Sequence, residues 1–139
     1  MNSLLSIRNT LTQTANDIIN DYNSTTGSSV GVTFDNSKAF DPFGYEHYVG
    51  CFFIPAANEQ VGKRGAPEED EGIYQMSVFV EGQSGSYDLK QLEIIDAIRT
   101  GFRNAELGNL SISDINVNGG RYDESWFVRD VSVNVYVLS

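Results

Sequence analysis

The chain has 139 residues, of which 40% are hydrophobic, and a formal net charge of -10 at pH 7. This length predicts a single domain, residues 1–139, with one sizeable core. The charge argues against nucleic-acid binding through a basic surface, because phosphate contacts need clustered Lys and Arg and the nine basic residues are scattered.

Membrane and secretion signals are absent from the sequence. No apolar run approaches the roughly 20 residues that span a bilayer. The N-terminal segment MNSLLSIRNTLTQTAND lacks the basic and continuous apolar regions of a signal peptide. We therefore expect synthesis in the cytoplasm and no membrane partner.

Residues that could carry chemistry are few. The sequence has one cysteine, Cys51, in the apolar segment VGCFFI, which predicts a buried structural thiol. The one histidine, His47, would lie about 13 Å away along a strand, too far for a catalytic pair. One His and one Cys argue against a zinc site, and no phosphate-binding or dinucleotide motif is present. We expect no catalytic residue, metal or cofactor. The protein is therefore not expected to be an enzyme.

The first half of the chain predicts a helix and two strands. Residues 3–22 carry apolar side chains at helical spacing, and residues 30–34 and 46–56 read as strands. Gly50 indicates a bulge or a close packing contact within the second strand, and Pro55 marks an edge or its end.

The segment from Gly72 to Gly82, GIYQMSVFVEG, predicts the central strand of the sheet. Its apolar face is expected to meet the core and consists of Tyr74, Met76, Val78 and Val80. Before it lies a polar stretch, residues 57–71, which ends in the acidic run Glu68, Glu69, Asp70 and Glu71. Adjacent like charges favour a solvated, mobile loop. Cation binding is the alternative, but the run lacks the ligand spacing of a calcium loop.

The last third predicts a helix over residues 88–103 and two strands, 110–118 and 126–138. The helix carries an apolar stripe at Leu89, Leu92, Ile95, Ile98 and Phe102, which Ile94 widens. A change of alternation at Asp114 indicates a bulge. A turn over residues 119–125 joins the two strands into a hairpin. The order α-β-β-β-α-β-β predicts an α+β fold, with both helices packed against an antiparallel or mixed sheet.

Trp126, at the head of the last strand, has two interpretations. A large amphipathic aromatic there anchors either the core or an interface. The sequence leaves both open.

The arrangement resembles the tail terminator or tail completion proteins of long-tailed bacteriophages. The features that carry the resemblance span nearly the whole chain: the N-terminal helix, the aromatic strand HYVGCFFIPA with its charged loop, the strand GIYQMSVFVEG with a glycine-serine link into LEIIDAIRTGF, and the final strand WFVRDVSVNVY. These are patterns of fold, and the very acidic run before the central strand departs from some members.

The resemblance implies a structural role in the virion, at the head-proximal end of the tail, after assembly in the host cytoplasm. Such proteins form a ring, generally a hexamer, on the last ring of the major tail tube protein. They stop tube growth and provide the surface that the head-to-tail connector binds, while DNA passes through the lumen. The loops and turn expected to contact partners contain Phe40, Phe43, Lys63, Arg64, Glu68, Glu69, Asp70, Glu71, Arg121 and Trp126.

Two alternatives remain. One is another head–tail joining or tail tube protein. The other is a small-ligand-binding α+β domain, for which Asp41, Glu46, His47 and Arg129 are the polar groups available. An enclosed pocket lined by His47 and carboxylates would favour this second alternative.

Overall fold

The computed structural model describes residues 4–34, 46–55, 69–81, 87–108 and 110–138. The predicted loop over residues 36–45, most of the stretch 57–71 and the link 82–86 lie outside these ranges. Two helices and six strands are formed in the order α1 (Leu4–Thr26), β1 (Gly31–Phe34), β2 (His47–Pro55), β3 (Glu69–Glu81), α2 (Tyr87–Asn104), β4 (Ser111–Val117), β5 (Arg121–Asp123) and β6 (Trp126–Leu138).

The strands form one mixed sheet in the order β1-β2-β3-β6-β4, and the short strand β5 also pairs with β6. Among the described strands, the β1–β2 pair alone is parallel. The ladder between β3 and β6 runs without interruption from Glu69 opposite Leu138 to Glu81 opposite Trp126. The α+β class and the central position of the Gly72–Gly82 strand are therefore confirmed.

Both helices pack on one face of the sheet. Tyr74, Met76, Val78 and Val80 are buried on that face, as the alternation of β3 predicts. Tyr74 contacts both helices, because its hydroxyl is hydrogen-bonded to Thr12 of α1 at 3.1 Å and its ring lies 6.4 Å from that of Phe102 in α2. Burying an apolar side chain of this kind contributes about 1.5–3 kcal/mol. Cys51 is buried in the same core, as expected.

The buried side of α2 differs from the prediction. Leu89 and Leu92 are 71% and 40% exposed, whereas Gln91 is 0% exposed. The Gln91 amide donates to the carbonyl oxygens of Val78 (2.9 Å) and Phe127 (3.1 Å) and accepts from Arg129 (2.8 Å). The predicted stripe is therefore wrong at its first two leucines, because a polar side chain whose hydrogen bonds are all made can occupy the core position.

Helix α1 is longer than predicted. It continues to Thr26, whose hydroxyl donates to the Tyr22 carbonyl at 2.8 Å, and it ends at Gly27 with φ of 71°. A glycine in the left-handed conformation is a common helix terminator.

Two bulges were considered from the sequence, and one is present. The register of β4 on β6 shifts between Ile112 and Asp114, which confirms the prediction there. Around Gly50 the β2–β3 ladder is continuous, and an added Cβ would lie 3.7 Å from its nearest neighbours. Neither a bulge nor an unusually close contact therefore explains this glycine.

Two segments expected outside the ladder are strands. Glu69, Asp70 and Glu71 form the first residues of β3 and pair with the end of β6, so the loop predicted to reach Glu71 is wrong there. Within the predicted turn, Arg121–Asp123 pairs with β6 as β5, and the turn shortens to two residues, in which Glu124 has φ of 56°. In both places the long strand β6 supplies the backbone partners with which these residues pair.

Candidate interaction surface

The face of the sheet opposite α1 and α2 is the candidate site, and we call it the helix-free face. Within the described part of the chain, only alternate residues of each strand belong to the core cluster that packs against the helices. The residues between them therefore point to the other side of the sheet. On β2, β3 and β6 these neighbours are Tyr48, Gly50, Phe52, Ile54, Glu71, Ile73, Gln75, Ser77, Phe79, Glu81, Trp126, Val128, Asp130, Ser132, Asn134 and Tyr136.

Three aromatic side chains form a cluster at one end of this face. The rings of Tyr48 and Phe79 are stacked with centroids 4.4 Å apart and an interplanar angle of 4°. Trp126 lies edge-on to Tyr48 at 5.0 Å and to Phe79 at 6.4 Å. Such pairs contribute about 0.5–1.5 kcal/mol beyond their burial. All three residues are only half-buried. Burial and the charge of Asp123 raise the pKa of Tyr48. The aromatic cluster is thus held by mutual packing and still partly accessible.

Asp130, a charged residue at the centre of this face, is neutralised within the chain. The residue is 7% exposed, and its carboxylate accepts hydrogen bonds from Ser77 Oγ at 2.6 Å and from Arg121 Nη1 at 2.6 Å. The hydrogen bond to Asp130 raises the pKa of Arg121. The centre of the face therefore carries no unpaired charge, although the chain as a whole has a net charge of -10.

The rim of the helix-free face is acidic. Glu71 and Glu81 lie at the two ends of β3, Asp114 lies on the edge strand β4, and Asp123 pairs with Trp126. All four are exposed. A face that combines accessible aromatic side chains, a centre without unpaired charge and a charged rim is typical of a protein–protein interface.

The predicted interaction residues are distributed unevenly. Arg121 and Trp126 come together on the helix-free face, on either side of the β5–β6 turn. Glu71 lies on the same face at the opposite end of β3. Glu69 and Asp70 belong to β3 and not to a loop. Phe40, Phe43, Lys63, Arg64 and Glu68 lie outside the described residues, so their role stays a prediction.

The polar groups considered for a ligand site are not assembled. Glu46 and His47 line an open cavity of about 430 Å³ together with Ser28, Ser29 and Lys90. Burial, and then the charge of Lys90, lower the pKa of His47. Arg129 instead contacts Gln91, and Asp41 lies outside the described residues. This open cavity is therefore not the enclosed, carboxylate-lined pocket that a ligand site would need.

The residues that the structure describes contain no group of three or more His, Cys, Asp or Glu side chains that could hold a metal ion. Neither described helix is long and apolar enough to cross a membrane.

Comparison with solved structures shows the fold. One structure, of a protein whose name states no function, superposes with a TM-score of 0.62 at 17% sequence identity, and the match covers 94% of both chains. No protein-family model matches the chain. No curated protein matches it either. At this level of identity the likeness extends to the fold alone.

Sequence reasoning missed Tyr48, Phe79, Ser77 and Asp130 as parts of the surface. A usable signal was the presence of Phe79 on the second face of a central strand, because a one-sided sheet would place polar residues there. The Ser77–Asp130 contact had no such signal, since it depends on the register of two strands separated by a helix and two further strands.

Proposed function

We propose that the protein is a structural, non-enzymatic subunit that assembles into a homo-oligomeric ring and serves as a phage tail terminator. The observation that supports this most is the helix-free face, which has an aromatic cluster at one end and a centre whose charge is paired within the chain, although the chain is strongly acidic. Depletion of charge and enrichment of Tyr, Phe and Trp mark the buried centres of interfaces.

The order of elements and the resemblance of the sequence to tail terminators support a tail terminator ring as the assembly. Identical subunits in a closed ring need two different, complementary patches. A ring that ends a polymer also needs one side that binds the last ring of tube protein and another that binds the connector but recruits no more tube. The net charge of -10 suits a lumen through which DNA passes without adhering.

The test is electron microscopy of tails assembled with and without this protein. We expect overlong tubes in its absence, and tubes of uniform length bearing a terminal ring when the purified protein is added back. Tubes of normal length in its absence, together with no binding of the purified protein to tube ends, would refute the role as a terminator.

The variant for this test is Trp126→Ala, because Trp126 contacts both other rings of the aromatic cluster. Tyr122→Ala is the matched control, since Tyr122 is an exposed aromatic on the neighbouring strand β5 that points to the other side of the sheet. Capping of tubes should be lost in the first variant and kept in the second. Equal capping of tubes by the two variants would show that the aromatic cluster does not take part in capping.

A further inference from the structure

Helix α2 carries a second stripe on its solvent side. Leu89, Leu92, Asp96, Arg99 and Arg103 follow one another at spacings of three and four residues, so they share one side of the helix. We call them the outer stripe. None of these five residues is buried. Two exposed leucines at helical spacing are typical of a helix face that docks into a partner.

The charge of the outer stripe is unusual for this chain. It carries two arginines and one aspartate, and Asp96 lies 3.9 Å from Arg99. The Nε atom of Arg99 is buried and has no hydrogen-bond partner. The stripe therefore has a net positive charge, whereas the rim of the helix-free face carries the exposed acids Glu71, Glu81, Asp114 and Asp123, and the exposed Arg121 on the same face is paired with Asp130.

From these features we infer that the outer stripe of one subunit docks on the helix-free face of a second copy of this chain. Leu89 and Leu92 pack on the aromatic cluster of Tyr48, Phe79 and Trp126, and the arginines meet acids of the rim. This inference rests on the proposed ring, for which it names the two complementary patches. Two copies of the helix-free face would instead repel each other, because both rims are acidic.

The length of the outer stripe along α2 agrees with the length of the helix-free face along β6. From Leu92 to Arg103 the helix rises about 16 Å. Along β6, the distance from Val128, opposite Phe79, to Asn134, opposite Asp114, is about 20 Å. The reach of an arginine side chain covers the difference. With the leucines on the aromatic cluster, Arg103 is thus in a position to pair with Asp114.

The two patches are different parts of the subunit, so the contact is heterologous and a pair of subunits keeps one free patch of each kind. Such a contact forms a closed ring when its rotation closes. A ring assembled in this way uses the edge strands β1 and β4 for no intersubunit hydrogen bonds, which agrees with the bulge that interrupts β4.

Cross-linking of single-cysteine variants tests the geometry. Leu92→Cys places a thiol on the outer stripe, and Asp123→Cys places one beside Trp126; native Cys51 is buried and serves as the unreactive background. A short bis-maleimide reagent is applied in solution and on capped tubes. We expect covalent dimers when the two variants are mixed and none with either variant alone. Dimers from one variant alone, or none from the mixture while wild-type rings are present, would overturn the inference.

Loss of association tests the energetics. The double variant Leu89→Asp with Leu92→Asp should weaken self-association and tube capping at least about tenfold, because it removes two apolar anchors. Leu5→Asp is the matched control, since Leu5 is 63% exposed on α1 and outside the stripe. Both variants should have the circular dichroism of the wild type.

The outcomes separate the two proposals. If the wild type caps tubes as a ring and the double variant does so equally well, the inference fails and the proposed function stands. If the wild type neither self-associates nor caps tubes, both fail.

Discussion

Ser77 and Asp130 face each other across β3 and β6, and the Ser77 hydroxyl donates a 2.6 Å hydrogen bond to the Asp130 carboxylate. Both residues are buried on the helix-free face. Arg121, on β5, forms an ion pair with the same carboxylate. This contact ties the β5–β6 hairpin, which carries Trp126, to the centre of the sheet.

Replacement of Asp130 by Ala should therefore destabilise the protein. The buried Ser77 hydroxyl loses its acceptor, which costs about 1–3 kcal/mol in the free energy of unfolding. Urea denaturation measures the change. A double-mutant cycle with Arg121→Ala should give a coupling of about 0.5–3 kcal/mol, because the two side chains are in direct contact. Strictly additive effects would mean that Arg121 does not stabilise the carboxylate.

Gln91→Met tests the buried polar position on α2. Methionine has a similar volume but satisfies none of the three hydrogen bonds that Gln91 makes with Val78, Phe127 and Arg129. We expect a loss of about 1–3 kcal/mol. The neighbouring change Leu92→Gln, on an exposed side chain, should alter the stability of the monomer by less than about 0.5 kcal/mol. A Gln91→Met protein as stable as the wild type would contradict the role of these bonds.

Gly101→Ala tests the close approach of the two helices. A Cβ at Gly101 would lie 2.5 Å from Cγ1 of Ile18. The gain in helix propensity, about 1 kcal/mol, is opposed by overpacking that costs about 1–3 kcal/mol, so we expect a net decrease in thermal stability. Thr100→Ala, at the exposed neighbouring position, serves as the control and should leave the midpoint unchanged or raise it. A higher midpoint for Gly101→Ala would show that α1 moves aside at no cost.

His47 gives the stability a defined dependence on pH. Burial and Lys90 lower its pKa in the folded state, so the unfolded chain takes up the proton first as the pH falls. Stability should therefore decrease from about pH 6.5 down to the lowered pKa and change no further below it. His47→Gln should remove this part of the slope, as measured by urea denaturation across that range. An identical slope in the variant would exclude His47 as its source.

Much of the fold follows from alternation and helical spacing. The period-two pattern around Tyr74 predicted a central strand with one apolar face, and the break at Asp114 predicted the bulge. These predictions succeeded because burial on one face of a strand leaves a direct trace in residue type.

Other features leave no such trace. Gln91 replaces the predicted leucines in the core because its partners are backbone carbonyls, and these belong to strands whose positions emerge only in three dimensions. The four acids at positions 68–71 favoured a loop on charge alone, yet three of them extend β3 because β6 is long enough to pair with them. The interaction surface likewise depends on strand register, which brings Tyr48, Phe79 and Trp126 together from three separate parts of the chain.

The ladder between β3 and β6 also governs the order of events during synthesis. Of the six described strands, β6 is the last to be synthesised, and yet it lies in the interior of the sheet between β3 and β4. Until residue 138 has been made, β3 has an open hydrogen-bonding edge and its apolar face is incompletely packed. Folding must therefore await contacts between distant parts of the chain, which makes it slow and leaves the nascent polypeptide prone to aggregation.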